Sequence, residues 1–444
     1  LAAALAAAFG LGLTGATAAQ TTPAPAGSND LSAIYRDALA NDPTYAAARA
    51  SQLASIERTP QARAALLPQI NASAGYSRTR QNVDPPDVTR TFSGWGPTLT
   101  LTQPLFRAQS WVALDQAKLS VTQAEAILAQ ARQDLVLRVT QAYFDVLAAE
   151  DQLVAIGANK KAVSEQLAQA RREFEVGTKT IVDTHEAQAR FDQIVAQEQV
   201  ARGDAIVKRN ALRAITGRDP GTLAPLRERP TLTTPEPADV ETWAKRAEES
   251  SYGVSIARAT ADVAQLETSR TRRGYWPTLD LSASVSDNRS NGSATTSNDV
   301  TTRSSTIGVQ LTVPIYSGGL TQSQVRESLA LEEKARQDLE TARRNAAQGA
   351  RQAYTGTDFG LSQVRALESA EVSAKSQLDS TRLGYQVGVR INLDVLNATT
   401  QLFNTQRDLK KARYDFLVNG LRLKSAVGAL DDPDVQAINA LLMR

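Results

Sequence analysis

The sequence predicts a mainly α protein with a membrane β-barrel. Long antiparallel coiled-coil helices form an α-barrel tube, and four strands per protomer contribute to a trimeric 12-strand barrel. Three observations predict this architecture. The chain of 444 residues contains an internal duplication; each copy carries two runs of strict apolar/polar alternation; and each copy carries a very long helical stretch without an internal proline.

The copies run from about Asp30 to Gly217 and from Asp239 to Gly428. Leu67-Pro68 recurs as Trp276-Pro277, Pro104-Leu105-Phe106 as Pro314-Ile315-Tyr316, and Phe174-Glu175-Val176-Gly177 as Tyr385-Gln386-Val387-Gly388, at offsets of 209 to 211 residues. The organisation expected is therefore a first repeat over 30–217, a linker over 218–238, a second repeat over 239–428 and a C-terminal tail over 429–444. Pro220, Pro225, Pro230, Pro235 and Pro237 prevent the linker from continuing a helix, and it reads as a surface segment.

Strands are expected over about 68–80 and 92–103 in the first copy, and 278–288 and 304–313 in the second. Ile70, Ala72, Ala74 and Tyr76 alternate with Gln69, Asn71, Ser73 and Ser77, while Leu99 and Leu101 alternate with Thr98, Thr100 and Thr102. In the second copy Leu279, Leu281, Ala283 and Val285 alternate with Asp280, Ser282, Ser284 and Ser286, and Ile307, Val309, Leu311 and Val313 with Thr306, Gly308, Gln310 and Thr312. The intervening segments Gln81 to Thr91 and Asn288 to Thr302 are polar, as expected of outer loops. A half-buried sheet of a soluble domain has the same period, but duplication and flanking helices favour the membrane reading. Four tilted strands cannot close a barrel, and open edges are not tolerated in lipid, so three chains with twelve strands are expected.

Long helices are expected over about 106–176 and 180–216, then 321–387 and 392–427. Shorter ones lie near Pro43 to Ala65 and Tyr252 to Arg273. Leu114, Ala117, Val121, Ala124, Leu128, Ala131 and Leu135 step by three and four, and after one slip Val139, Ala142, Val146, Ala149, Leu153 and Ile156 continue the seam. About 70 helical residues reach on the order of 100 Å, so the molecule is expected to be a rod or tube.

Composition excludes other classes. The 49 basic and 47 acidic side chains nearly cancel without a basic stripe, so no nucleic-acid partner is expected. Cysteine is absent, which removes disulfides and thiolate chemistry. His185 is the only histidine, no Walker-type phosphate loop is present, and no nucleophile–base arrangement emerges. No catalytic residue, cofactor or metal site is expected. Residues 1–19 read as a secretory signal truncated at its start: an apolar Leu1 to Leu13 precedes small residues at Ala16, Thr17, Ala18 and Ala19, with a buried helix as the alternative. Beyond it, no run approaches the ~18 apolar residues that a membrane helix needs.

The closest-knit stretch is Thr381 to Thr400 (TRLGYQVGVRINLDVLNATT), continued by Ala412 to Leu417 and Leu421 to Gly428. With the duplicated hairpins, it resembles the TolC family of outer-membrane efflux proteins over nearly the whole mature chain. The resemblance implies a passive exit duct of a tripartite efflux pump or type I secretion system, in the outer membrane of a Gram-negative bacterium and extending into the periplasm. The implied partners are sister subunits of a homotrimer, outer-membrane lipid, a periplasmic adaptor, and an inner-membrane ABC exporter or proton-driven pump. It further implies that Val176, Gly177 and Thr178, with Val387, Gly388 and Val389, are adaptor-docking tips, although each Val-Gly also suffices as a plain interhelical turn. Asp183, Tyr385 and Arg390 match the family's periplasmic latch; Thr180 and Asp183 equally fit a helix-capping pattern. Asp394 matches an acidic entrance ring whose second acidic position is here Asn397. The alternative reading is a periplasmic coiled-coil adaptor or structural protein.

Overall fold

In a computed structural model, residues 29–85, 87–178 and 180–443 are described. The signal reading over 1–19 lies outside them. Three short helices, α1 (Leu31–Asn41), α2 (Pro43–Ile56) and α3 (Arg58–Ala64), lead into strands β1 (Gln69–Val83) and β2 (Val88–Phe106). Two long helices follow, α4 (Ala108–Glu175) and α5 (Ile181–Thr216). The second half repeats the order with α6 (Val240–Ser250), α7 (Tyr252–Arg272), β3 (Thr278–Ser290), β4 (Val300–Thr312), α8 (Leu320–Gln386) and α9 (Asn392–Ala426), and α10 (Asp432–Asn439) closes the chain.

The four strands form one antiparallel sheet in the order β1-β2-β3-β4. Its register aligns the apolar alternation of both copies into rows: Ile70 lies opposite Leu101, Leu101 opposite Ala283, and Ala283 opposite Ile307. The neighbouring row Asn71, Thr100, Ser284 and Thr306 is polar and faces the other way. β4 is exposed along its whole length, with Ile307 at 76%. A 13-residue strand tilted by about 40° rises roughly 34 Å, enough to cross the hydrocarbon layer. Arg107 donates twice to Asp280, at 2.9 and 3.0 Å, and so ties the end of β2 to β3 where strand gives way to helix.

The first hairpin is longer than the alternation indicates. Pairing continues from Arg80–Thr91 to Val83–Val88, so most of the expected polar loop over 81–91 is strand. Outside lipid the pleat needs no apolar face, so pattern alone misses it. The expected helix over 43–65 divides at Glu57, giving α2 and α3.

The helices run about 100 Å for the 68 residues of α4. Ala117, Ala124, Leu135, Val139, Val146 and Ala149 of the expected seam are buried. Halfway along, the body thickens around a core of Tyr143, Phe144, Leu135, Tyr414 and Leu417 with Leu31, Ile34 and Leu442. The proline-rich segment contributes to it. Leu223 and Ala224 are buried, and Tyr143 donates to the Ala224 carbonyl at 2.8 Å, which corrects the reading of this segment as purely superficial. Prolines bar a helix; they do not bar burial. Burial pushes the Tyr143 and Tyr414 phenols above their ordinary range, and Tyr414 donates to Asp151, which also accepts from Lys410. Within the tail, α10 packs Val435 and Ile438 into the same core.

Asp42 is the main buried charge here, at 2% exposure. It caps α2 by accepting from the Tyr45 amide and receives both terminal nitrogens of Arg138, at 3.1 and 3.0 Å. Burial raises its carboxyl pKa, but the bonds from Arg138 and from the Tyr45 amide outweigh that and the net shift is downward. A depressed carboxylate stabilises the fold above its unfolded pKa and loses that contribution as pH falls through the folded value. Asp42→Ala is expected to destabilise this region by about 2 to 4 kcal/mol. Thermal unfolding in detergent checks it: the variant should melt earlier at neutral pH and lose less stability than the parent on acidification.

Candidate functional site

Far from the sheet, the two helical hairpins end in two turns built alike. At the first, Gly177 has φ +77° and donates to the Phe174 carbonyl, and Thr178 donates to Glu173. At the second, Gly388 has φ +80° and donates to Tyr385, and Val389 donates to Gly384. Each closes the carbonyls of a 67- or 68-residue helix and reverses the chain within five residues. A β-carbon at the left-handed glycine would strain the backbone. Val176 and Val389 are 73% and 78% exposed, and Val182, Leu383, Val387 and Ile391 are exposed beside them. Each tip is thus a small apolar knob on a polar rod.

Inside the knobs, two clusters hold the helices. Val163, Leu167, Ala170, Ala187 and Ile194 join α4 to α5, and Leu396 of α9 inserts among them. Ala374, Leu378, Tyr385, Val395, Ala398 and Leu402 join α8 to α9.

Among the described residues, Asp183, Tyr385 and Arg390 each bond a different partner. Asp183 accepts from the Thr180 amide and hydroxyl, at 3.2 and 2.9 Å, and caps α5. The Tyr385 hydroxyl donates to Glu173 at 2.6 Å and so bridges the two hairpins. Burial, then the Glu173 bond and charge, then the nearby charge of Asp183, push the Tyr385 phenol above its ordinary range. Arg390 lies 3.7 Å from Asp394, which also accepts from the Ile391 amide at the start of α9. Gly384 makes room for this: a β-carbon there would come within 2.8 Å of the Arg390 stem.

Sequence reading missed three residues at this end. Glu173 was one; the others are Gln166, which donates to buried Asn392 at 2.5 Å, and Arg190, which donates to Asn397 at 2.9 Å. The duplication held a signal for the first. Tyr385 recurs as Phe174, and two-fold-related turns place it against the neighbouring Glu173. His185 is exposed on α5. Among the described residues no group of three or more His, Asp or Glu side chains could hold a metal ion, and no helix is long and apolar enough to cross a membrane.

A four-stranded sheet with an exposed apolar face, continuous with helical hairpins of this length, defines the class of outer-membrane channel subunits. The chain matches the family described as outer membrane efflux protein over residues 34–218 and 243–429, and it belongs to that family of transport ducts. It is 36% identical over 412 residues to the outer membrane protein TolC of Vibrio cholerae, covering 93% of each chain. It is 34% identical over 421 residues to the alkaline protease secretion protein AprF of Pseudomonas aeruginosa, covering 91% of this chain and 86% of that one. Among solved structures, the CmeC outer membrane channel of Campylobacter jejuni shares the fold, with a TM-score of 0.79 at 16% identity over 93% of this chain and 90% of that chain.

Replacing Gly388 or Gly177 by Ala is expected to cost about 1 kcal/mol locally. Amide exchange should accelerate in the last turn of α8 or α4 while the global melting temperature stays within a few degrees. Uniform acceleration throughout the helices would contradict a locally closed turn.

Proposed function

We propose that three copies of this chain form a passive exit duct that crosses the outer membrane and the periplasm and opens at its helical tips. The observation that carries the reading is the sheet: its two edge strands, β1 and β4, have no partner on their outer sides among the described residues, and its apolar rows face outward. In lipid each unpaired backbone group costs several kcal/mol, and three sheets of four strands satisfy them by mutual pairing. A coiled-coil adaptor or structural protein has no use for such rows, which disfavours the second reading.

The exposed residues Val176, Gly177 and Thr178, with Val387, Gly388 and Val389, are the docking points for the hairpins of a periplasmic adaptor. Glycine permits close backbone approach, and the valines supply apolar area. Asp183, Tyr385 and Arg390 act as the latch, linking neighbouring helix pairs at the tip. Charge-assisted bonds of this kind are worth ~1.5 to 3 kcal/mol each, enough to bias a closed state that adaptor binding overcomes. Energy comes from an inner-membrane ABC exporter or proton-driven pump. The named relatives include a protease secretion protein, which supports a type I secretion partner for this chain as well as an efflux pump.

Asp394 forms the entrance ring, tripled by the trimer axis, where three carboxylates attract cations and repel anions. Purified protein in planar bilayers is expected to conduct with a cation preference that falls in Asp394→Ala. Arg390→Ala is expected to give longer or larger openings, as the latch loses its guanidinium. Absence of any conductance from correctly folded trimers would overturn the duct reading.

A further inference from the structure

The entrance reading places Asp394 on the pore, and residues three apart on a helix share a face, so Asn397 lies on that face about 4.5 Å higher. Asn397 is exposed, yet its amide oxygen is occupied: Arg190 of α5 donates to it at 2.9 Å. The other terminal nitrogen of Arg190 donates to the Gln193 amide oxygen at 3.1 Å. Both partners are neutral. Among the described residues no carboxylate lies within 4 Å of this guanidinium: Glu186, four residues earlier on α5, makes no ion pair with it, and Asp192 accepts from Gln188. The charge is therefore held in place by two amides and is not neutralised by them.

Below it, the carboxylate of Asp394 already faces Arg390 at 3.7 Å and accepts from the Ile391 amide. Each subunit thus brings one acid and two guanidinia to adjacent turns.

We propose that Arg190 is a second selectivity residue of the entrance, a basic ring above the acidic one, that limits the cation preference set by Asp394 and keeps multivalent cations from lodging there. The inference rests on the entrance reading of Asp394 but makes a separate demand. A ring of fixed positive charge one turn from a ring of negative charge lowers the local cation concentration. Arginine suits the place because its planar fork reaches two amide oxygens at once and stays charged at any physiological pH. The same two bonds clasp α5 to α9, which fixes the charge with respect to the pore.

The test is reversal potential across a potassium chloride gradient, together with block by a trivalent metal ammine, for the full-length trimer and three variants. Arg190→Gln removes the charge and leaves a neutral amide donor; it is expected to raise the cation-to-anion permeability ratio by about two- to tenfold and to tighten trivalent block. Arg190→Lys keeps the charge and should retain the parental ratio. Asp394→Asn should shift the ratio the other way. If Arg190→Gln leaves the ratio unchanged while Asp394→Asn moves it, Arg190 has no part in selectivity and the inference falls alone. If neither variant moves it, the entrance reading fails and takes this inference with it. If Arg190→Lys behaves as Arg190→Gln, the fork's clasp matters and the charge does not, which also overturns the proposal.

Discussion

Backbone hydrogen bonding at the edges of the sheet is the constraint from which the rest of the structure follows. Strands of 13 to 19 residues expose an apolar face that only lipid can cover, and lipid leaves no water to satisfy β1 and β4. Among the described residues the chain offers four strands and no return to close them. Association with copies of itself thus meets a local bonding requirement. The connectivity transmits it downward: Pro104-Leu105-Phe106 and Pro314-Ile315-Tyr316 lead from strand into helix, so a ring of strands sits on a ring of helical hairpins.

The duplication explains why two similar turns lie together at the far end. Two copies of a strand–helix–turn–helix unit place two related turns side by side about 100 Å from the sheet, and small differences between them change the bonds each makes. Phe174 of the first copy corresponds to Tyr385 of the second, and only the second has a hydroxyl to reach Glu173. Asp183 and Asp394 stand at corresponding places near the starts of α5 and α9. One accepts from a threonine hydroxyl, whereas the other faces an arginine. The bridges Glu173–Tyr385, Gln166–Asn392 and Arg190–Asn397 then join the hairpins within a subunit. The middle of the tube is held differently, by a packed aromatic core with Tyr143, Phe144 and Tyr414 in ring contact.

Much of this was legible in the sequence, for a physical reason. A period of two and a heptad seam are long signals, and both are repeated, so strands and helices showed themselves by pattern. What pattern does not carry is partner choice. Polar residues from Arg80 to Val83 pair with Val88 to Thr91 because the ladder needs no apolar side chain once it leaves lipid. Leu223 and Ala224 enter the core, where Tyr143, 81 residues before Ala224, donates its hydroxyl to the Ala224 carbonyl. The three residues proposed as a latch have suitable chemistry in the sequence, but the local capping geometry of Asp183 competes with any distant bond, and Glu173 lay hidden one position from a residue already singled out. Arg190 had no local signature, since its role depends on a helix that begins 202 residues later.

The central claim is that the outer edges of β1 and β4 meet between chains. Because the natural sequence has no cysteine, paired cysteines introduced at successive β1 positions from Ile70 to Tyr76 and β4 positions from Ser305 to Leu311 report that contact without background. Oxidation in native membranes is predicted to give, at one register, a covalent ladder that ends at three chains, with pairs two residues away along the same face linking less well. Cross-linking confined within single chains at every register, or absent from all of them, would contradict the account.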